Sequence, residues 1–174
     1  MTNLSLESQL RQKRNGIWSR CASAAKNNSE NPLKICSDWS AAADELLHEA
    51  FTACFSSEKI ALFALGKLGS SELNLSSDVD LLLVSENENS TLLTGLRRFQ
   101  KILNERTAEG FVFRVDFDLR PGGRHGPLLP TLDQFRDYYG NYGETWERLA
   151  FVRLRPLCGD CLLYTSPSPR DLST

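Results

Sequence analysis

The chain has 174 residues, of which 41% are hydrophobic and 24% charged, enough for one ordinary buried core and consistent with one domain or a piece of one. A formal net charge of -2 gives no overall attraction to nucleic acid or to an anionic membrane, so a site for a phosphate-bearing ligand has to be built locally. No apolar stretch approaches the roughly 20 residues of a membrane helix and the N-terminus lacks a basic-then-apolar leader, which leaves a cytoplasmic address by default.

Residues 1–32 are rich in Asn, Ser, Lys and Arg, with Ile17 and Trp18 among few large apolar side chains, and are expected to be a polar lead-in, helical or partly disordered. Residues 33–160 carry the regular patterning. After Asp38, taken as an N-cap, Leu46, Leu47, Ala50, Phe51, Cys54 and Phe55 recur at helical spacing. The short apolar run IALFAL after Lys59 suits a buried strand, and Val79 to Val84 a second one. Leu92, Leu93, Leu96, Phe99, Ile102 and Leu103 mark an amphipathic helix.

FVFRVDFDL alternates, with Phe111, Phe113, Val115, Phe117 and Leu119 on one face and Val112, Arg114, Asp116 and Asp118 on the other, which predicts a strand with one core face. Thr131 with Gln134 three residues on resembles a capping box, and Phe135, Tyr138, Trp146, Leu149 and Val152 predict packed helices to the end. Helices gathered around a few strands give an α+β fold with a small sheet.

The five cysteines, Cys21, Cys36, Cys54, Cys158 and Cys161, lack the spacing of a disulfide framework and are read as reduced thiols. From Cys161 the chain reads CLLYTSPSPRD, which resembles the translated adapter of short-read sequencing libraries. Residues 161–174 are therefore expected not to be native, with the native sequence stopping near Asp160.

The chemistry concentrates in GSSELNLSSDVD. Asp78 and Asp80, two apart at a strand start, leave one face of the sheet together and offer hard oxygen ligands to Mg2+. Asp116 on the neighbouring charged face supplies a third carboxylate, with Asp118 beside it in support. Upstream, Gly66, Gly69 and Ser70 form a turn whose backbone N–H groups would approach a triphosphate, helped by a helix starting near Ser71. The opposing readings are solvated turn acids for D-x-D, and surface ion pairs with Arg114 and Arg120 for Asp116 and Asp118.

Gly-Ser, seven residues, then D-x-D is similar to the motif of the polymerase β-type nucleotidyltransferases. The longer segments ALGKLGSSELNLSSDVDLLLV, GFVFRVDFDLRPGGRHGPLL and ETWERLAFVRLRPLCGD resemble the glutamine synthetase adenylyltransferase family, over about Ile60 to Asp160. F-R-V-D, G-P-L and W-E-R resemble the family's N-terminal, adenylyl-removing domain.

The resemblance implies a polymerase β-type nucleotidyltransferase fold with a small mixed sheet carrying the carboxylates. It makes Asp78, Asp80 and Asp116 the catalytic, Mg2+-binding residues and assigns Gly69 and Ser70 to nucleotide phosphates. It implies phosphorolytic removal of AMP from a tyrosine of glutamine synthetase, with ATP or ADP and phosphate as small ligands and the PII signal protein as a partner of a longer parent. An Arg is expected where Asp118 stands. Arg120, Arg153 and Arg155 are read either as phosphate or partner contacts, with Arg120 assigned to nucleotide, or as salt bridges. The competing functions are a non-catalytic nucleotide-binding regulatory module and a nucleotidyltransferase with another acceptor.

Overall fold

The computed structural model describes residues 4–55 and 59–160. Residues 161–174, the adapter-like tail with Cys161, lie outside the described residues. Within them a four-stranded mixed sheet is packed by helices on both faces, which is an α+β arrangement.

Two long helices come first. Helix α1 spans Leu6–Lys26, capped by the Ser5 side chain, and α2 spans Pro32–Cys54. The start of α2 lies upstream of the expected cap: Asn31 accepts from the Leu33 amide and Pro32 occupies the first turn, where its missing N–H costs nothing. Asp38 lies inside the helix and pairs with Lys34 one turn back. Although its sequence is polar, α1 contributes to the core through Leu10, which has no solvent exposure, and through Cys21. Asn15 Nδ2 donates to Glu109 O at 2.8 Å, and Trp18 Nε1 donates to Leu75 O at 3.0 Å.

The sheet follows. Strand β1 (Ile60–Ala64) pairs antiparallel with β2 (Val79–Ser85) on one side and with β4 (Arg155–Gly159) on the other, while β2 pairs parallel with β3 (Val115–Asp116). The order is β3-β2-β1-β4. Because side chains alternate, Ile60, Leu62, Ala64, Val79, Leu81 and Leu83 pack toward α2 and α4 (Ser90–Asn104). Ala61, Phe63, Leu65, Leu82 and Val84 form a second core, covered by Leu132 and Phe135 of α5 (Leu132–Asn141) and by Phe151 and Leu154. Asp80 belongs by alternation to this second face.

Two further expectations give way. FVFRVDFDL is a strand only at Val115–Asp116, since the amides of both Val112 and Phe113 donate to Leu103 O at 3.1 Å and bend the chain around the end of α4. Consecutive residues Val112 and Phe113 are therefore both buried, against the expected alternation. The described residues also do not end in packed helices. The short α6 (Thr145–Ala150) and a 3-10 turn (Phe151–Arg153) lead into β4, and Trp146, Leu149 and Val152 are exposed at 62%, 63% and 80%. The Thr131 and Gln134 capping box is present at the start of α5. Among the described residues no helix is long and apolar enough to cross a membrane, and Cys21, Cys36, Cys54 and Cys158 are free thiols.

Candidate active site

The parallel pairing of β2 with β3 sets Asp80 opposite Asp116, and Asp78 lies two residues before Asp80. Adjacent residues of neighbouring strands share a face, so the Asp80 and Asp116 side chains stand side by side. Their proximity is visible in the protonation of Asp80, whose carboxyl is held above its ordinary value first by burial, then by the charges of Asp116 and Asp78, with Lys67 opposing. Repulsion between half-buried carboxylates is relieved by a proton or by a cation.

Asp78 is turned differently. Arg114 Nε donates to Asp78 Oδ1, and Arg114 Nη2 donates to Ser76 O at 2.8 Å. With Asp78 held there, no three acidic, histidine or cysteine side chains among the described residues stand close enough together to hold an ion as they are. The donor set nonetheless suits magnesium: two carboxylates face each other on adjacent strands, and the third is tied only by a half-exposed ion pair.

The glycine turn is built for closeness to the acid cluster. Helix α3 (Gly66–Gly69) follows β1 directly, with Gly66 at φ +54°, and a Cβ at Gly66 would lie 2.1 Å from Asp80 Oδ2. Only glycine leaves room for that carboxylate. Gly69 has a different reason for being glycine, because a Cβ there would meet Arg153 O at 1.9 Å.

The Gly69 amide donates to Leu65 O at 2.9 Å and the Ser70 amide to Gly66 O at 3.3 Å, so both are committed within the turn. The Ser70 hydroxyl makes only a 3.4 Å bond to Gly66 O. No helix starts at Ser71, which closes the turn at φ +57° with its amide bonded to Leu68 O. Lys67 Nζ donates to the Ser77 hydroxyl at 2.9 Å and brings a positive charge toward Asp80.

The remaining residues divide clearly. Asp116 Oδ1 accepts from the Asp118 amide at 2.7 Å, while the Asp118 carboxylate pairs with Arg124 and, at 3.6 Å, with Arg120. The two aspartates therefore serve different neighbours. Arg120 is buried and donates to Phe117 O at 2.8 Å, bracing the loop after β3. Arg155 forms a two-pronged pair with Asp44 at 2.9 and 3.0 Å and donates to Leu68 O and Gly69 O, so it ties β4, α2 and the glycine turn together. Arg153 reaches Glu72 at 3.8 Å. In the W-E-R segment Glu147, not Trp146, is buried, accepting from Tyr138 Oη at 3.2 Å and from the Glu144 amide.

Sequence reasoning passed over Lys67 and the pairing of Arg114 with Asp78. The signal for each was slight, a lysine between the glycines of GKLG and an arginine two residues before Asp116.

An acidic cluster thus sits on one face of a small mixed sheet, beside a glycine turn, in an α+β domain. A sequence profile of the glutamate-ammonia ligase adenylyltransferase family matches residues 4–167, and the chain belongs to that family. The match includes α1, upstream of the segments that carry the resemblance by eye.

Three similar proteins are each named bifunctional glutamine synthetase adenylyltransferase/adenylyl-removing enzyme. That of Nitrosococcus oceani is 40% identical over 116 residues, 60% of this chain and 12% of the relative. That of Rhizobium meliloti is 40% identical over 111 residues, 58% of this chain and 11% of the relative. That of Burkholderia mallei is 42% identical over 115 residues, 58% and 12%. The matched stretch is thus about one eighth of the relatives' length.

Proposed function

We propose that this chain is the nucleotidyltransferase segment of a cytoplasmic enzyme that controls glutamine synthetase through a tyrosine-linked adenylyl group, and that it carries the adenylyl-removing half. The observation that carries the reading is the register of Asp80 against Asp116, with Asp78 within reach and Gly66 packed on the Asp80 carboxylate. The names of the relatives supply the substrate, and F-R-V-D, G-P-L and W-E-R favour the removing half. The fold is then the polymerase β-type nucleotidyltransferase fold.

In this reading inorganic phosphate attacks the adenylyl phosphorus, the bond from phosphorus to the tyrosine oxygen breaks, a proton is delivered to that oxygen, and ADP and free tyrosine leave. Asp78, Asp80 and Asp116 would hold magnesium, which would neutralise charge on the phosphoryl oxygens. The protein's own groups do the rest. Asp80 and Asp116 stay fixed by strand pairing, so their orientation needs no reorganisation. Arg114 holds Asp78 in position at the edge of the cluster. Ser70 contributes through its hydroxyl, since its amide is committed, and Asp118 supports the loop through Arg120 and Arg124. The PII signal protein acts on the longer parent.

The test is transfer of function. Grafting the matched 116 residues into the Nitrosococcus oceani relative should preserve ADP release from adenylylated glutamine synthetase in phosphate and magnesium. Asp80→Ala in that graft should lower the rate roughly a hundredfold or more. Full activity of the Asp80→Ala graft would sink the assignment.

A further inference from the structure

A cavity of about 170 Å³ lies beside the acid cluster, lined by Arg14 and Trp18 of α1, Trp39 of α2, Ser76, Phe111 and Arg114. Neither Asp80 nor Asp116 lines it, and of its two arginines Arg114 is paired with Asp78 while Arg14 has no carboxylate partner among the described residues. The Arg14 guanidinium carbon stands 5.6 Å from the Trp18 ring, 5.5 Å from the Trp39 ring and 5.3 Å from the Phe111 ring. Three aromatic faces hold the cation in place.

No carboxylate pairs with Arg14 among the described residues. Its Nε is buried without a hydrogen-bond partner, and Nη1 makes only a 3.2 Å contact to Asn15 Oδ1. Burial holds the Arg14 guanidinium below its ordinary value, which an anion would reverse. A buried guanidinium edge without an acceptor is costly unless something with oxygen lone pairs meets it. At 170 Å³ the space falls below the roughly 300 Å³ of pockets for drug-sized ligands, which excludes a nucleotide and leaves a small anion. Two guanidinium forks suit the oxygens of a phosphate-class dianion.

Arg114 connects this cavity to the acid cluster, since it lines the cavity while its Nε holds Asp78. We propose that the cavity is a second site, taking a phosphate-class dianion between Arg14 and Arg114, and that it is coupled to the carboxylates through the Arg114–Asp78 pair. An anion that draws on Arg114 loosens Asp78, the carboxylate of the three that Arg114 holds. The coupling rests on Asp78 as a metal ligand. The binding itself does not.

The experiment follows the Trp18 indole N–H resonance of the ¹⁵N-labelled protein during titration with inorganic phosphate, at constant ionic strength and without metal or nucleotide. A saturable shift is expected, absent with chloride, and weakened roughly tenfold or more by Arg14→Gln or by Arg114→Gln at the half-exposed position. Asp80→Asn should leave it in place, which separates this site from the carboxylate face, and Asp78→Asn should tighten binding by freeing Arg114. No saturable shift in the unsubstituted protein, a shift that survives both arginine variants, or loss of the shift in Asp80→Asn would overturn the site. Unchanged affinity in Asp78→Asn would overturn the coupling. None of these outcomes depends on adenylyl-removing activity.

Discussion

Asp80 is where packing and electrostatics work against each other. Its carboxyl is pressed against Gly66, half-buried, and faced by Asp116 and Asp78, so its affinity for a proton is raised in the folded chain. Below the ordinary carboxylate range, near about pH 4, Asp80 is protonated in both folded and unfolded chains and costs nothing. As pH rises from that range through the raised folded value, the unfolded chain loses its proton more readily, so stability falls and then stays at the lower level. Asp80→Asn removes this penalty. Without divalent cation, the variant should show a higher urea midpoint than the parent at neutral pH and a smaller difference near about pH 4, measured by fluorescence of the tryptophans. A lower midpoint at neutral pH would mean that Asp80 is stabilising as an anion, with Lys67 outweighing the like charges around it.

Whether an element's apolar spacing marks its buried side depends on what the sheet leaves for it to cover. Trp146, Leu149 and Val152 recur at helical intervals, yet this face points outward, because Phe151 and Leu154 fill the second core in its place. Trp146→Ala should therefore change stability by no more than about 0.5 kcal/mol, read from the urea midpoint, where a buried tryptophan would cost about 3–5 kcal/mol. The same dependence on context sets what was legible beforehand. IALFAL and VDLLLV are strands in the sequence and in the fold because both of their faces are covered, so continuous apolarity was a sufficient signal. The Thr131 cap was legible because its bond partners are local.

β4 was not legible. RPLCG contains Pro156 and buries only Cys158, and its pairing with β1 is a contact across the chain that no local pattern announces. At the site the adjacency of Asp80 and Asp116 was legible, since it rests on strand alternation and pairing, whereas Asp78 lies before the strand and its bond to Arg114 was not. The roles of the glycines were not. Gly66 is matched to a carboxylate and Gly69 to the Arg153 carbonyl, and both neighbours come from elsewhere in the chain.

In the whole molecule, a net charge of -2 coexists with an acid cluster on one sheet face and a cavity lined by Arg14 and Arg114. Arg114 joins the two through its bond to Asp78. The chain belongs to a family whose similar members are about eight times the matched length. The proposed role of Asp78, Asp80 and Asp116 is to hold a divalent cation together. The most direct measurement is Mn2+ binding followed by the loss of the free-ion electron paramagnetic resonance signal, with Mg2+ as competitor. Saturable binding is expected, displaced by Mg2+ and weakened roughly tenfold or more by Asp80→Asn or Asp116→Asn. Mn2+ affinity unchanged in both variants would contradict it.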